Sequence, residues 1–256
     1  MYERRHNTRP RKHFDNIIYG IHPILEALQA GKELERLLLS REIHTPQLRD
    51  IIRKAEELNV PYQKVPTEKL DSLTQKNHQG VIAFTSLIEY QPLESVLMQV
   101  FEQGKTPLLL ILDRITDVRN MGAIARSAEC AGVDAIIIPA KGSAQINADA
   151  VKTSAGALNT VPVHRSENLK NTIKYLKDSG LKIVGVTEKG NEAYYTENFT
   201  TPIALILGSE EDGISPEYLK LCDKQVRIPL QGSISSLNVS VATGILLFET
   251  VKQRLL

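Results

Sequence analysis

Two rhythms of apolar and polar positions run along the chain. From Pro107 onward, short unbroken apolar runs recur at 108–113 (LLLILD), 135–139 (AIIIP), 161–163, 182–186 (KIVGV), 203–207 (IALIL) and 225–229. Runs of this length without alternation are the pattern of strands buried on both faces. Between them, 123–131, 147–153, 168–177 and 216–222 carry helical spacing. The alternation predicts an α/β domain built on a mostly parallel, doubly wound sheet. Such sheets bind ligands outside the carboxyl ends of their strands.

Residues 14–88 read differently, as a small separate α/β domain. Pro23 suits the first position of a helix over 24–30, 36–40 (RLLLS) is strand-like, and 46–58 carries a helical stripe at Leu48, Ile51, Ile52, Ala55 and Leu58. Strands over 60–65 and 80–85 (GVIAFT) enclose a short helix at 67–74. A segment over 89–106, with Pro92 and a helical LESVLMQVFEQ pattern, is the expected connector. Residues 1–13 (MYERRHNTRPRKH) have no apolar face and set Arg4, Arg5, Arg9, Arg11 and Lys12 against the single acid Glu3. That pattern predicts a basic arm, either a phosphate tether or a solvated tail.

The stretch 227–248 (RIPLQGSISSLNVSVATGILLF) stands apart. A strand tip at Pro229 leads into a polar loop through Gly232 and Ser233, and then to a helix with Ser236 or Asn238 as its N-cap. From Val239 to Phe248 that helix is apolar on almost every side, which predicts deep burial. A polar loop set before such a helix is either a site or a loop whose polar groups have no evident purpose.

Composition narrows the picture only modestly. The chain of 256 residues carries a net charge of +1, so any contact with nucleic acid must come from local patches. Cys130 and Cys222 lie in apolar sequence and read as small buried residues in a reducing compartment. No apolar run approaches the ~20 residues that span a bilayer, and the basic N-terminus lacks the apolar segment of a secretory signal. A cytoplasmic protein is expected. No G-x-G-x-x-G follows a strand, no Walker A or G-x-S-x-G motif is present, and six scattered histidines give no metal spacing.

Three polar clusters fall at predicted strand ends. The first, from Asp113 to Gly122, opens a helix carrying Asn120 and Arg126, which either face the strand-end crevice beside a helix N-terminus that favours anions or belong to a solvated turn with Arg126 salt-bridged on the surface. The second is Gly208-Ser209-Glu210-Glu211-Asp212-Gly213, and the third is the loop before Val239.

In order and spacing, N-x-G-x-x-x-R at Asn120–Arg126, G-x-E-x-x-G at Gly208–Gly213 and S-L-N-V-S at Ser236–Ser240 resemble the three motifs of the SpoU (TrmH-like) RNA 2′-O-ribose methyltransferases. Tyr19-Gly20-Ile21-His22-Pro23 and His78-Gln79-Gly80 resemble the family's N-terminal substrate-binding domain, and the bacterial 23S rRNA guanosine enzymes are the most similar subgroup. The family often has a proline between the first-motif Asp and Asn, where this chain has Val118-Arg119.

The resemblance implies an S-adenosylmethionine-dependent enzyme with a deep trefoil knot over 107–256, an exception to the usual absence of knots. It also implies a homodimer with sites near the subunit interface. Asn120, Arg126, Glu210, Ser236 and Asn238 would carry the catalytic roles. Leu207, Gly208, Ile228, Gly232, Ser236 and Leu237 would bind the cofactor. The basic arm, His78 and Gln79 would contact structured large-subunit ribosomal RNA. A transfer RNA ribose as substrate, or a catalytically inactive RNA-binding assembly factor of the same fold, are the alternatives.

Overall fold

The computed structural model describes residues 16–144 and 146–256. The chain divides into two compact units, the first ending at Ser86 and the second running from Leu87 to Leu256.

In the first unit, β1 (Ile17–Tyr19), α1 (Ile21–Gln29), β2 (Leu34–Ser40), α2 (Pro46–Glu57), β3 (Tyr62–Val65), α3 (Thr67–Asp71) and β4 (Val81–Thr85) follow in order. The sheet order is β1-β4-β2-β3, with β4 antiparallel to both neighbours and β3 parallel to β2. One face buries Ile24, Leu28, Ile51 and Ala55 of the helices against Leu37, Leu39 and Val81, while Leu38, Ile82 and Phe84 meet Leu70 on the other. Helix α1 starts three residues earlier than the expected 24–30. Gly20 turns the chain in at φ 92°, and Ile21 N donates to Gln79 Oε1 at 3.0 Å. Pro23 is then the third helical residue, where its missing N–H is still one of the unpaired donors of a first turn.

The second unit contains α4 (Leu93–Glu102), β5 (Leu108–Leu112), α5 (Val118–Cys130), β6 (Ala135–Pro139), α6 (Ala148–Thr153), β7 (Val163–Ser166), α7 (Leu169–Asp178), β8 (Lys182–Val186), β9 (Glu192–Ala193), β10 (Ile203–Leu207), α8 (Pro216–Leu219), β11 (Lys224–Arg227) and α9 (Val239–Leu255). Its sheet runs β7-β6-β5-β10-β8-β11-β9, and every neighbouring pair is parallel. The two central strands, β5 and β10, are buried at every position. Leu110, Leu112 and Leu205 pack toward α5 and α9, whereas Leu109, Ile111 and Ala204 pack toward α4 and α7.

Several expectations shift in detail. The strand placed at 161–163 begins only at Val163, and the one placed at 225–229 ends at Arg227. Pro162 and Pro229 lack the N–H a ladder needs. The helix over 216–222 stops at Leu219 and closes in turns. Cys130, expected to be buried, is exposed on α5, and Cys222 is half-buried.

The largest correction concerns α9. It buries only one stripe, Val239, Thr243, Leu246, Leu247 and Thr250. The two threonine hydroxyls donate to Val239 O and Leu246 O, so they enter the core satisfied. Val241 and Phe248 on the opposite side are each 51% exposed. An apolar helix with one face open within its own chain has a second surface to cover. Near the end of α9, Arg254 donates to the carbonyls of Thr106, Pro107, Phe199 and Thr201, tying the helix to the entrances of β5 and β10. Among the described residues no helix is long and apolar enough to cross a membrane.

Candidate active site

The site is built on the carboxyl ends of β5, β8, β10 and β11, where a parallel sheet leaves a crevice. Strand β10 runs into Gly208, whose backbone passes so near the loop's return that a Cβ would lie 2.0 Å from the Gly213 carbonyl carbon. Only glycine permits that approach. Ser209 and Gly213 exchange backbone hydrogen bonds of 3.2 and 2.9 Å, closing a tight loop with Glu210 at its tip.

A buried carboxylate anchors this loop to the end of β5. Asp113 accepts from Ser215 N at 2.6 Å, Ser215 Oγ at 2.7 Å and Arg114 Nε at 3.1 Å. Arg114, held at φ 58°, also donates to Asp212 at 3.1 Å and to Gly213 O at 3.2 Å. The hydrogen bond to Asp113 is the leading cause that holds its pKa above the ordinary arginine value. Helix α5 starts next, with Asp117 accepting from Arg119 N at 2.7 Å as its cap. Gly122 lets α5 lie against α6, since a Cβ there would meet Ala150 O at 2.7 Å.

The three motifs meet through three side chains. Glu210 Oε1 accepts from Asn120 Nδ2 at 2.8 Å and from Asn238 Nδ2 at 2.8 Å, while Asn238 Nδ2 also donates to Asn120 Oδ1 at 3.0 Å. Asn238 simultaneously caps α9, its Oδ1 accepting from Ser240 N at 2.9 Å and Val241 N at 3.4 Å. One amide therefore fixes the start of the last helix and the orientation of the loop carboxylate.

Around this knot of amides lie two cavities. The larger, about 590 Å³, is walled by Val186, Leu207, Ile228, Leu237 and Ala242, with Glu188, Glu210, Ser236 and Asn238 as polar groups. Its size is that of a cofactor pocket. Apolar walls suit the purine of S-adenosylmethionine, and the carboxylates suit its hydroxyl and ammonium groups. The smaller, about 210 Å³, is lined by Arg114, Ile115, Thr116, Asp117 and Asn120. Ser209, Glu210, Glu211, Asp212 and Val239 line both.

The residues singled out from sequence distribute unevenly over this geometry. Leu207, Gly208, Ile228, Ser236 and Leu237 line the larger cavity, whereas Gly232 lines neither. Asn120, Glu210 and Asn238 come together, but Arg126 does not join them. It is exposed on α5, six residues beyond Asn120, and that spacing turns it to another side of the helix. His78 is buried, with Gly80 N donating to Nδ1 at 3.0 Å and Nε2 meeting Asp71 at 3.0 Å, so both ring nitrogens serve the turn itself. Gln79 is exposed and caps α1. Arg4, Arg5, Arg9, Arg11 and Lys12 lie outside the described residues. Sequence reasoning missed Val186-Thr187-Glu188-Lys189, whose only signal was its place at the end of β8.

Comparison with known proteins bears on this architecture. The model of the SpoU rRNA methylase family matches residues 107–248, and the model for RNA 2′-O ribose methyltransferase substrate binding matches residues 17–91. The chain is 38% identical over 245 residues to the 23S rRNA (guanosine-2′-O-)-methyltransferase RlmB of Vibrio parahaemolyticus, covering 94% of this chain and 98% of that one. It is 35% identical over 238 residues to a protein of Staphylococcus saprophyticus assigned to the TrmH family of tRNA/rRNA methyltransferases, covering 93% and 96%. The SpoU methyltransferase AviRb of Streptomyces viridochromogenes, solved in complex with AdoMet, superposes with a TM-score of 0.60 at 26% identity over 93% of this chain and 90% of that one. Motifs that meet at one strand-end pocket, and family models that together account for most of the chain, converge on one assignment: the chain belongs to the SpoU family and is an S-adenosylmethionine-dependent RNA 2′-O-ribose methyltransferase.

Proposed function

We propose that the chain methylates the ribose 2′-hydroxyl of a guanosine in 23S ribosomal RNA, working as a homodimer in the cytoplasm. The observation that carries the mechanism is the Asn120–Glu210–Asn238 network on the boundary between the two cavities. The relation to RlmB, over nearly the whole of both chains, supports the target.

S-adenosylmethionine supplies an electrophilic methyl on a sulfonium. Leu207, Gly208, Ile228, Ser236 and Leu237, which line the larger cavity, would hold it. The two amides fix Glu210 Oε1 and leave Oε2 free to accept from the acceptor hydroxyl, setting its oxygen toward the donor. Alignment of this kind can supply on the order of 7–11 kcal/mol of the barrier. Arg126 stays charged throughout and so is not the proton acceptor. Its role is to hold a phosphate of the target nucleotide and steady the developing alkoxide. The proton leaves to phosphate or water.

Arg126 lines neither cavity of its own chain, yet it precedes Ser127, which faces Gly244 of α9. Pairing two copies through the open Val241–Phe248 stripe covers that apolar surface and carries Arg126 toward the partner's site. The knotted C-terminal segment rests on membership of the SpoU family. The first unit and the basic arm select the RNA, reading shape and phosphate.

Incubation with labelled methyl donor and 23S rRNA, followed by mapping, tests the proposal. Label is expected on one guanosine and is expected to vanish when that nucleotide is 2′-deoxy. Label surviving the deoxy substitution, or found only on transfer RNA, overturns it.

A further inference from the structure

We infer that the smaller cavity seats the guanine base of the acceptor nucleotide, with Glu211 reading its donor edge. This deepens, and rests on, the reading of the target as a guanosine. The two cavities share the wall that bears Glu210, with Asn120 lining the smaller and Asn238 the larger. With its base in the smaller cavity, the acceptor nucleotide would bring its ribose to the shared wall. There the hydroxyl oxygen could bond to the methyl carbon as the donor's carbon–sulfur bond breaks and the thioether leaves. A base unstacked from structured RNA needs such a recess.

The lining decides what kind of group enters. Among the described residues Arg114 is the only cation lining it, and its guanidinium is engaged by Asp113, Asp212 and Gly213 O. Asp117, Glu211 and Asp212 give the rim a negative character that repels phosphate. Asp117 already accepts from Arg119 N. Glu211 is exposed and makes no hydrogen bond or ion pair among the described residues, so its two oxygens are available. Guanine alone among the four bases presents an imino N–H beside an amino group on its pairing edge, and a carboxylate accepts both side by side. Adenine offers a donor beside an acceptor there, which leaves one carboxylate oxygen unpaired and costs affinity. Ile115 and Val239 supply apolar surface, and Thr116 supplies a hydroxyl that can donate to the guanine carbonyl.

The test uses the full chain and a 23S rRNA fragment carrying either guanosine or inosine at the mapped position, since inosine lacks only the 2-amino group. The wild-type enzyme is expected to lose roughly ten- to hundredfold in kcat/KM on inosine. Glu211→Ala is expected to bring the two substrates within about twofold of each other, by lowering the guanosine rate. Thr116→Trp, which fills the smaller cavity from a position outside the larger one, is expected to raise the KM for RNA and leave donor affinity unchanged. Equal wild-type rates on guanosine and inosine, full discrimination by Glu211→Ala, or an unaltered RNA KM in Thr116→Trp each overturn the inference. A wild-type enzyme that leaves the guanosine fragment unmethylated and labels another nucleotide overturns instead the target on which it rests.

Discussion

Asn238 performs two separable tasks, and two substitutions pull them apart. Asn238→Ala removes the cap of α9, which costs about 1 kcal/mol in typical helices, and also the amide that Glu210 and Asn120 share. Asn238→Asp keeps the cap, because aspartate accepts from Ser240 N and Val241 N as asparagine does, but it sets a second carboxylate against Glu210. At the 2.8 Å separation now occupied by the amide, two full charges repel by about 1.5 kcal/mol in a water-like medium and about 6 kcal/mol at an effective dielectric of about 20. The position is exposed, so the lower figure is the better guide, and the pair relieves itself at reduced pH by sharing a proton. Thermal unfolding at pH 8 should place Asn238→Ala about 2–4 °C below wild type, from the lost cap, and Asn238→Asp a comparable distance below, from the repulsion, with only the latter gap narrowing as the pH falls. Methyl transfer to RNA should follow the repulsion. At pH 8, Asn238→Asp is expected to lose at least tenfold in kcat/KM, from roughly 1.5 kcal/mol of misplacement, and to recover part of it as the pH falls toward 6. A variant with wild-type kcat/KM at pH 8 refutes the idea that the amide network orients Glu210.

Gly208→Ala places a Cβ 2.0 Å from the Gly213 backbone, so the loop must open at a cost of about 1–3 kcal/mol; calorimetric titration should show donor affinity falling roughly five- to hundredfold. Arg126→Ala should keep donor affinity and lose turnover, and mixing it with Glu210→Ala should restore part of the activity if sites are shared between copies. In the first unit, Glu42 is hydrogen-bonded by Thr67 and Ser40, and these bonds, Thr67's first, lower its pKa from 4.5 to about 2. A depressed carboxylate stabilises the fold above its unfolded value and ceases to do so as pH falls. The melting temperature should therefore drop between pH 4.5 and 2 more steeply in wild type than in Glu42→Gln. Deleting residues 1–13 should flatten the salt dependence of RNA binding and spare donor affinity; an unchanged slope removes the arm from the interface.

What was legible in the sequence follows from what is local. LLLILD and IALIL read directly as β5 and β10 because burial on both faces leaves nothing polar to interrupt them. Asn120, Glu210 and Asn238 were legible as members of three polar clusters at predicted strand ends, and a shared role for them came only from the resemblance of those clusters to the SpoU motifs. Arg126 was harder, since the direction of an exposed side chain depends on which face of α5 packs, and the pattern alone did not rule out the crevice. The wall at 186–189 carries no motif of its own, and only the parallel pairing of β8 with β10 brings it to the larger cavity. The outer stripe of α9 misled for a different reason: apolar residues mark a preference for burial, yet within this chain Val241 and Phe248 stay half exposed.

The clasp made by Arg254 has a consequence for biosynthesis. Every strand of the second unit precedes that residue, so a nascent chain can lay down β5 through β11 before the element that fastens the entrances of β5 and β10 has left the ribosome. The same closing helix carries Asn238 at its head. A ribosome-bound precursor stalled before α9 can therefore assemble most of its sheet while the larger cavity still lacks the wall that Leu237, Asn238, Val239 and Ala242 supply.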